Sequence, residues 1–155
     1  MITHAELSNA IAYLGSQRVM SNITDSTYAV PSLDYMLGDF QKWWSERMEI
    51  DGLQKWEDDN DCDNFAFRYY ADAQFAHYKS EESTAQGLSV GIVFYMAGAR
   101  EEDGSGGGHA INLIISGKEN QRVLTFIEPQ RAAYNRNPVL HLTPPELDSI
   151  WFINF

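Results

Sequence analysis

Cysteine is almost missing from this chain. Cys62 stands alone among 155 residues, which excludes an intrachain disulfide and a cysteine-rich zinc site. Basic residues are scarce as well: 11 Lys+Arg face 22 Asp+Glu, for a formal charge of −11. A bare phosphate backbone or an anionic membrane surface is bound through stripes of Lys and Arg, so neither nucleic acid nor membrane is an expected partner. A basic protein partner or a metal cation remains compatible with that charge. No apolar run approaches the ~20 residues of a membrane-spanning helix. The segment from Met1 to Glu6 lacks the basic stretch and apolar run of a secretory leader, so the expected location is the reducing cytoplasm. Repeats and low-complexity blocks are absent too.

What is present describes a folded chain. Hydrophobic residues make up 44% and aromatics 13%, and the length suits a single domain over residues 1–155. Residues 5–14 carry Ala5, Leu7, Ala10, Ile11 and Leu14 at helical spacing. The polar run from Ser21 to Thr27 reads as loop. Ser32 is placed to cap a second helix, in which Leu33, Met36, Leu37, Phe40, Trp43, Trp44 and Met48 recur at three- and four-residue steps. An acidic connection over residues 51–63 follows. A third helix is predicted by Phe65, Ala66, Tyr69, Tyr70, Ala73 and Ala76, with Asn60 or Asp61 as its N-cap.

The pattern then changes from helix to strand. Residues 88–97, 109–116 and 122–128 read as strands, and 117–120 as the turn between the last two. Residues 100–108 form a loop with four glycines. Pro129 ends the third strand. Residues 139–142 suggest a fourth, 143–147 a helical turn, and 151–155 a last strand or packed tail. Helices followed by an antiparallel sheet give the class α+β.

Three positions attract chemistry: Cys62 at a helix start, His109 at a strand start and Glu128 at a strand end. In a hairpin centred between residues 118 and 119, opposed residues have numbers summing to 237, which is 109 plus 128. His109 and Glu128 are then expected as cross-strand neighbours with Cβ atoms about 5 Å apart. A thiol at a helix N-terminus feels the positive end of the helix dipole. An imidazole beside it takes the proton, and a carboxylate behind fixes the tautomer and stabilises the cation. Glycines beside His109 allow close approach of a substrate backbone. Five acids, Glu57, Asp58, Asp59, Asp61 and Asp63, lie within seven positions, and such negative charge opposes a thiolate. With Asn60 and Asn64 they are hard oxygen donors of the kind Ca²⁺ takes, although the spacing is not that of an EF-hand. The alternative for Asp61 and Asp63 is two acids complementing the helix dipole.

The segments Asp61-Cys62-Asp63-Asn64-Phe65-Ala66, Gly108-His109-Ala110 and Ile127-Glu128-Pro129-Gln130 occur in this order. Together they resemble the papain/transglutaminase-like superfamily of cysteine hydrolases. The motif style is that of a group that includes the cysteine-protease domain of a fungal agglutinin and related phage and bacterial proteins. The resemblance spans roughly residues 28–135. It implies a papain-like fold, with the nucleophile at a helix start packed on an antiparallel sheet. It implies Cys62 as nucleophile, His109 as base, and Glu128 as third member where papain has asparagine. Calcium dependence is implied as well, with Asp61 and Asp63 as candidate ligands. An upstream glutamine is implied at the oxyanion hole. Gln54, eight residues before Cys62, lies somewhat further upstream than that pattern has it, and the Cys62 amide is the other donor. The expected activity is a thiol hydrolase cleaving amide bonds of a peptide or protein through a thioester. The alternative is an inactive acidic accessory or interaction protein on the same scaffold, for instance of phage origin.

Overall fold

The structure is a computed structural model and describes residues 1–12, 14, 19–57, 60–80, 87–98 and 107–155. The chain begins with β1 (Ile2–Thr3) and α1 (His4–Ala12), then β2 (Met20–Asn22) and β3 (Thr27–Tyr28). A helical region follows: α2 (Leu33–Tyr35), a π-helical turn (Met36–Phe40), α3 (Gln41–Ile50) and α4 (Cys62–Lys79). The second half holds β4 (Val90–Ala97), β5 (Gly107–Ser116), β6 (Val123–Ile127), α5 (Pro129–Ala133), β7 (Val139–Leu140), α6 (Pro144–Asp148) and β8 (Phe152–Asn154). The architecture is α+β.

Six strands form the main sheet in the order β2-β8-β4-β5-β6-β7. All its pairs are antiparallel except β2 with β8, which is parallel. The sheet is therefore mixed rather than purely antiparallel. The parallel strand comes mostly from the polar segment read as loop: Ser21 and Asn22, with Met20 before them, are exposed, carry no alternation, and pair only because β8 lies beside them. β1 and β3 form a separate two-stranded ribbon.

Both faces of the central strands are covered. On one face Val90, Ile114 and Ile127 pack against Met36, Phe40, Trp44, Met48, Phe65, Tyr69 and Ala73 from the helices. On the other, Val93, Tyr95, Ile111, Leu113 and Ile115 meet Ile2, Leu7, Ile11, Tyr28, Ile150 and Phe155. Burial on both faces explains why residues 110–115 are nearly continuously apolar rather than alternating.

Ser32 caps α2 by accepting the Tyr35 amide. Met36, Phe40, Trp44 and Met48, spaced by four, are all buried. At ~100° per residue a four-residue step drifts by ~40° each time. The wider π-helical turn takes up part of that drift and keeps the stripe on one side. Trp44 then stacks edge-on to Tyr69 at 5.1 Å, joining α3 to α4.

Candidate active site

Asp61 starts α4. Its backbone is extended, its side chain accepts the Asn64 amide, and Asn64 Oδ1 accepts the Asp61 amide in return. Asn60, the other candidate cap, instead donates Nδ2 to the carbonyls of Leu53 (3.0 Å) and Lys55 (2.8 Å), folding the preceding loop back on itself. Cys62 is thereby the first residue of an 18-residue helix, with the positive end of the helix dipole behind it. It is half-buried against Ala66, Ile92 and Ala110, with Tyr70 and Phe94 alongside. The small side chains Ala66 and Ala110 let α4 approach β5 closely.

The β5–β6 register differs from the predicted one. Asn112 faces Ile127 and Ser116 faces Val123, so paired numbers sum to 239 rather than 237. The connection is longer than a tight turn: positive φ at Gly117 (88°) and Asn120 (65°) carries it over residues 117–122. A shift of two leaves side-chain parity intact, so His109 and Glu128 stay on one side of the ladder, diagonal rather than opposite. β5 also begins two residues earlier than expected, at Gly107, while the glycine-rich segment up to Gly106 lies outside the described residues. Because β6 ends opposite Asn112, residues 107–111 of β5 extend beyond it. His109 sits on this extension.

Glu128 closes the gap. It leaves the sheet as the N-cap of α5, and its Oε1 accepts the Gln130 amide at 3.2 Å. Its Oε2 lies 2.7 Å from His109 Nε2. Both side chains are largely buried, 18% exposed for His109 and 11% for Glu128. Tyr95, the cross-strand partner of His109 in β4, places its ring edge-on to the imidazole at 5.7 Å. With Nε2 committed to the carboxylate, Nδ1 is the nitrogen left for Cys62, whose side chain is near enough to favour the charged imidazole. Burial disfavours a charged imidazole here. The neighbouring Cys62 side chain and the hydrogen bond and charge of Glu128 outweigh it and push His109 up to about 10. Cys62, His109 and Glu128 are thus assembled in the order thiol, imidazole, carboxylate.

Gln54 is not part of this assembly. Its Nε2 donates to the Ala133 carbonyl at 2.7 Å and reaches the Ser45 carbonyl at 3.5 Å. Ser45 Oγ donates to the same Ala133 carbonyl at 2.8 Å. Gln54 therefore ties the loop after α3 to the end of α5, and an amide so engaged is not a free oxyanion donor. The Cys62 amide, the first N–H of α4, has no intrahelical partner and points out of the helix start.

Asp61 and Asp63 flank the thiol, with ligand-type atoms of Asp61, Cys62 and Asp63 within 4.8 Å of one another. The hydrogen bond to Asp61, then burial, then the Asp61 charge hold the Asp63 carboxyl above its ordinary range. Asp61 Oδ1 is buried without a hydrogen-bonding partner among the described residues. Two facing carboxyls with one orphaned oxygen fit a hard divalent cation. Asp58 and Asp59, from the same acidic run, lie outside the described residues.

An aromatic shelf borders the site. Phe94, beside Cys62, has ring neighbours in Phe67 and Trp151, both at 6.3 Å, and Phe152 at 5.9 Å. Trp151 reaches Gly108, where an added Cβ would lie 3.6 Å from Cη2 of the indole. A cleft of about 640 Å³ opens on the first turns of α4, lined by Leu53, Asn60, Asn64 and Phe67 among others. Tyr95 and the shelf gave no signal in the sequence. Asn112 did: it is one polar residue inside the apolar run of β5.

No protein-family model matches the chain, and no curated protein matches it. Its structure resembles that described as the PSL1a–E64 complex, with a TM-score of 0.65 and 19% identity, covering 99% of this chain and 50% of that one. It also resembles Polyporus squamosus lectin bound to a human-type influenza-binding epitope, with a TM-score of 0.58 and 21% identity, covering 96% of this chain and 48% of that one. At these identities the likeness is one of fold. The chain spans about half the length of both neighbours.

Proposed function

We propose that this chain is a papain-like cysteine hydrolase that cleaves amide bonds in peptides or proteins. The observation that carries the reading is an imidazole bonded to Glu128 Oε2 at 2.7 Å with its charged form favoured by the neighbouring side chain of Cys62, the first residue of α4. The Cys62 thiolate attacks the carbonyl carbon, and the resulting oxyanion is met by the Cys62 amide. His109, charged in the resting state, gives its Nδ1 proton to the leaving amine, and the C–N bond breaks to leave a thioester. Acylation removes the Cys62 charge, one of the causes holding His109 up, so the neutral imidazole becomes accessible. It then takes a proton from water, which attacks the thioester and releases the acid and the thiolate. Glu128 stabilises the cation at each appearance and keeps Nδ1 facing the sulfur.

Asp61 and Asp63 are the residues that would hold calcium. A bound cation would offset the negative charge next to the thiolate. The glycan seen with one structural neighbour is not carried over, since the match covers about half of that chain.

E64, named with the other neighbour, is an epoxide that a thiolate opens, which makes it a direct probe. The expected result is one adduct on Cys62 at neutral pH, with cleavage of an unfolded protein substrate, both lost in Cys62→Ala. The comparison is run with and without millimolar calcium. A folded wild-type chain that forms no adduct and cleaves nothing in either condition overturns the proposal and leaves the acidic interaction protein as the reading.

A further inference from the structure

We infer that Asn112 is a positioning residue for the Cys62–His109 pair: its side-chain amide fixes where α4 lies along β5. The inference rests on the thiol-hydrolase reading above. Asn112 is fully buried, three residues after His109 on β5. Its Nδ2 donates to the Ala66 carbonyl at 3.0 Å, one helical turn from Cys62. The same nitrogen donates to the Gly91 carbonyl on β4 at 3.2 Å. One amide thus ties together the helix that carries the thiol, the strand that carries the imidazole, and the next strand.

Packing does not require an amide here. Ile92 faces Asn112 across β4 and Ile127 faces it across β6, while Ala66, Ile92 and Ala110 form the apolar contact around it. The side chains around it are apolar, and leucine has the same branched outline with bulkier methyl groups. Burying an amide costs roughly 1–3 kcal/mol where its hydrogen bonds are incomplete, and Asn112 Oδ1 has no partner among the described residues. The residue therefore contributes something other than apolar stability. Contact between apolar side chains is non-directional; farther along α4 Gln74 bonds the Leu88 backbone at 3.0 and 2.7 Å, and near the thiol end the directional tie to the sheet is that of Asn112. Donated hydrogen bonds are directional and weaken steeply with misalignment. From the amide, Cys62 is about one helical pitch away, ~5 Å, and His109 about three strand residues, ~10 Å. Over such short arms a slide of α4 passes directly into the gap between sulfur and imidazole.

The test compares Asn112→Leu with wild type, and Asn112→Val with its isostere Asn112→Thr, which restores a hydroxyl donor. The readouts are the thermal midpoint and the ratio of Cys62 alkylation rates by iodoacetamide at pH 6 and pH 9. At pH 9 any accessible thiol reacts, whereas at pH 6 reaction requires the imidazolium to be in place. Asn112→Leu is expected to fold, to match wild type at pH 9, and to lose about tenfold at pH 6. Asn112→Thr is expected to retain more of the pH 6 rate than Asn112→Val. Should the leucine variant not fold, the Thr/Val pair carries the comparison alone. A wild-type ratio in Asn112→Leu, or equal ratios in the Thr and Val variants, overturns the inference and leaves the hydrolase reading standing. A wild-type chain whose rate collapses at pH 6 as a free thiol's does overturns both.

Discussion

His109 and Glu128 meet at 2.7 Å although they are not opposite one another in the β5–β6 ladder. The carboxylate bridges the diagonal because it leaves the sheet at the start of α5, where the Gln130 amide holds its other oxygen. One residue thereby caps a helix and orients an imidazole.

That double duty separates under Glu128→Gln. The variant keeps a side-chain oxygen for the Gln130 amide but loses the negative charge on His109. The His109 pKa, followed by NMR, is expected to fall from about 10. Hydrolysis is expected to drop about 100-fold, with a change of a few degrees in thermal midpoint. An unaltered rate would reduce Glu128 to a helix cap.

The pH dependence of stability has a definite sign. The folded chain holds His109 at about 10 against an ordinary 6.5, so it binds that proton more tightly than the unfolded chain does. The resulting stabilisation is complete below about pH 6.5 and is lost as pH rises through about 10. Urea midpoints of wild type and His109→Ala should therefore differ most near pH 6 and converge towards pH 10. A difference that grows with pH contradicts the assigned charge state.

Gln54→Ala distinguishes a structural from a catalytic glutamine. Loss of the bond to the Ala133 carbonyl should cost about 1 kcal/mol of stability, with the pH profile of Cys62 alkylation unchanged. An oxyanion donor behaves in the opposite way, costing 10²- to 10³-fold in kcat, roughly, at little cost to stability. Denaturant midpoint and kcat measured on one preparation decide between them.

Trp151→Ala removes the outer wall of the aromatic shelf while leaving Cys62, His109 and Glu128 in place. KM for a substrate with a bulky apolar residue near the scissile bond is expected to rise about tenfold, with kcat little affected. Trp151 is 38% exposed, so the fold should tolerate the change. Equal effects on apolar and polar peptides would remove the shelf from substrate binding.

Asp63→Asn tests the acidic pair. Asp63 is held above its ordinary range by Asp61 and by burial, so without a cation the pair costs stability as pH rises past the usual carboxylate range. The variant should then be slightly more stable than wild type in EDTA. Millimolar calcium is expected to raise the thermal midpoint of wild type and to leave that of Asp63→Asn nearly unmoved. Equal response of both proteins to calcium places the ion elsewhere.

Much of this site was legible because of parity. Strand side chains alternate with a period of two, so His109 and Glu128 stayed on one side even though the connection over residues 117–122 is longer than a tight turn. The length was hidden because Gly117 and Asn120 mark a turn without fixing how many residues it takes. Cys62 at a helix start was legible from Asp61 and the Phe65, Ala66 and Tyr69 stripe, which local chemistry sets. The destination of Gln54 was not, since it depends on where α5 lies after a strand far along the chain. β2 was hidden for the same reason: three exposed residues become a strand only when β8 arrives beside them.

The central claim is that Cys62 and His109 exist as an ion pair in the resting protein. Its most direct test is the rate of Cys62 alkylation by iodoacetamide from pH 5 to pH 9, in wild type and His109→Ala. A free thiol slows roughly 200-fold between pH 9 and pH 6 as its thiolate disappears. Wild type is expected to keep its rate within about tenfold over that span, and His109→Ala to fall as a free thiol does. Two coincident profiles, both collapsing towards pH 6, would contradict the pair and with it the hydrolase.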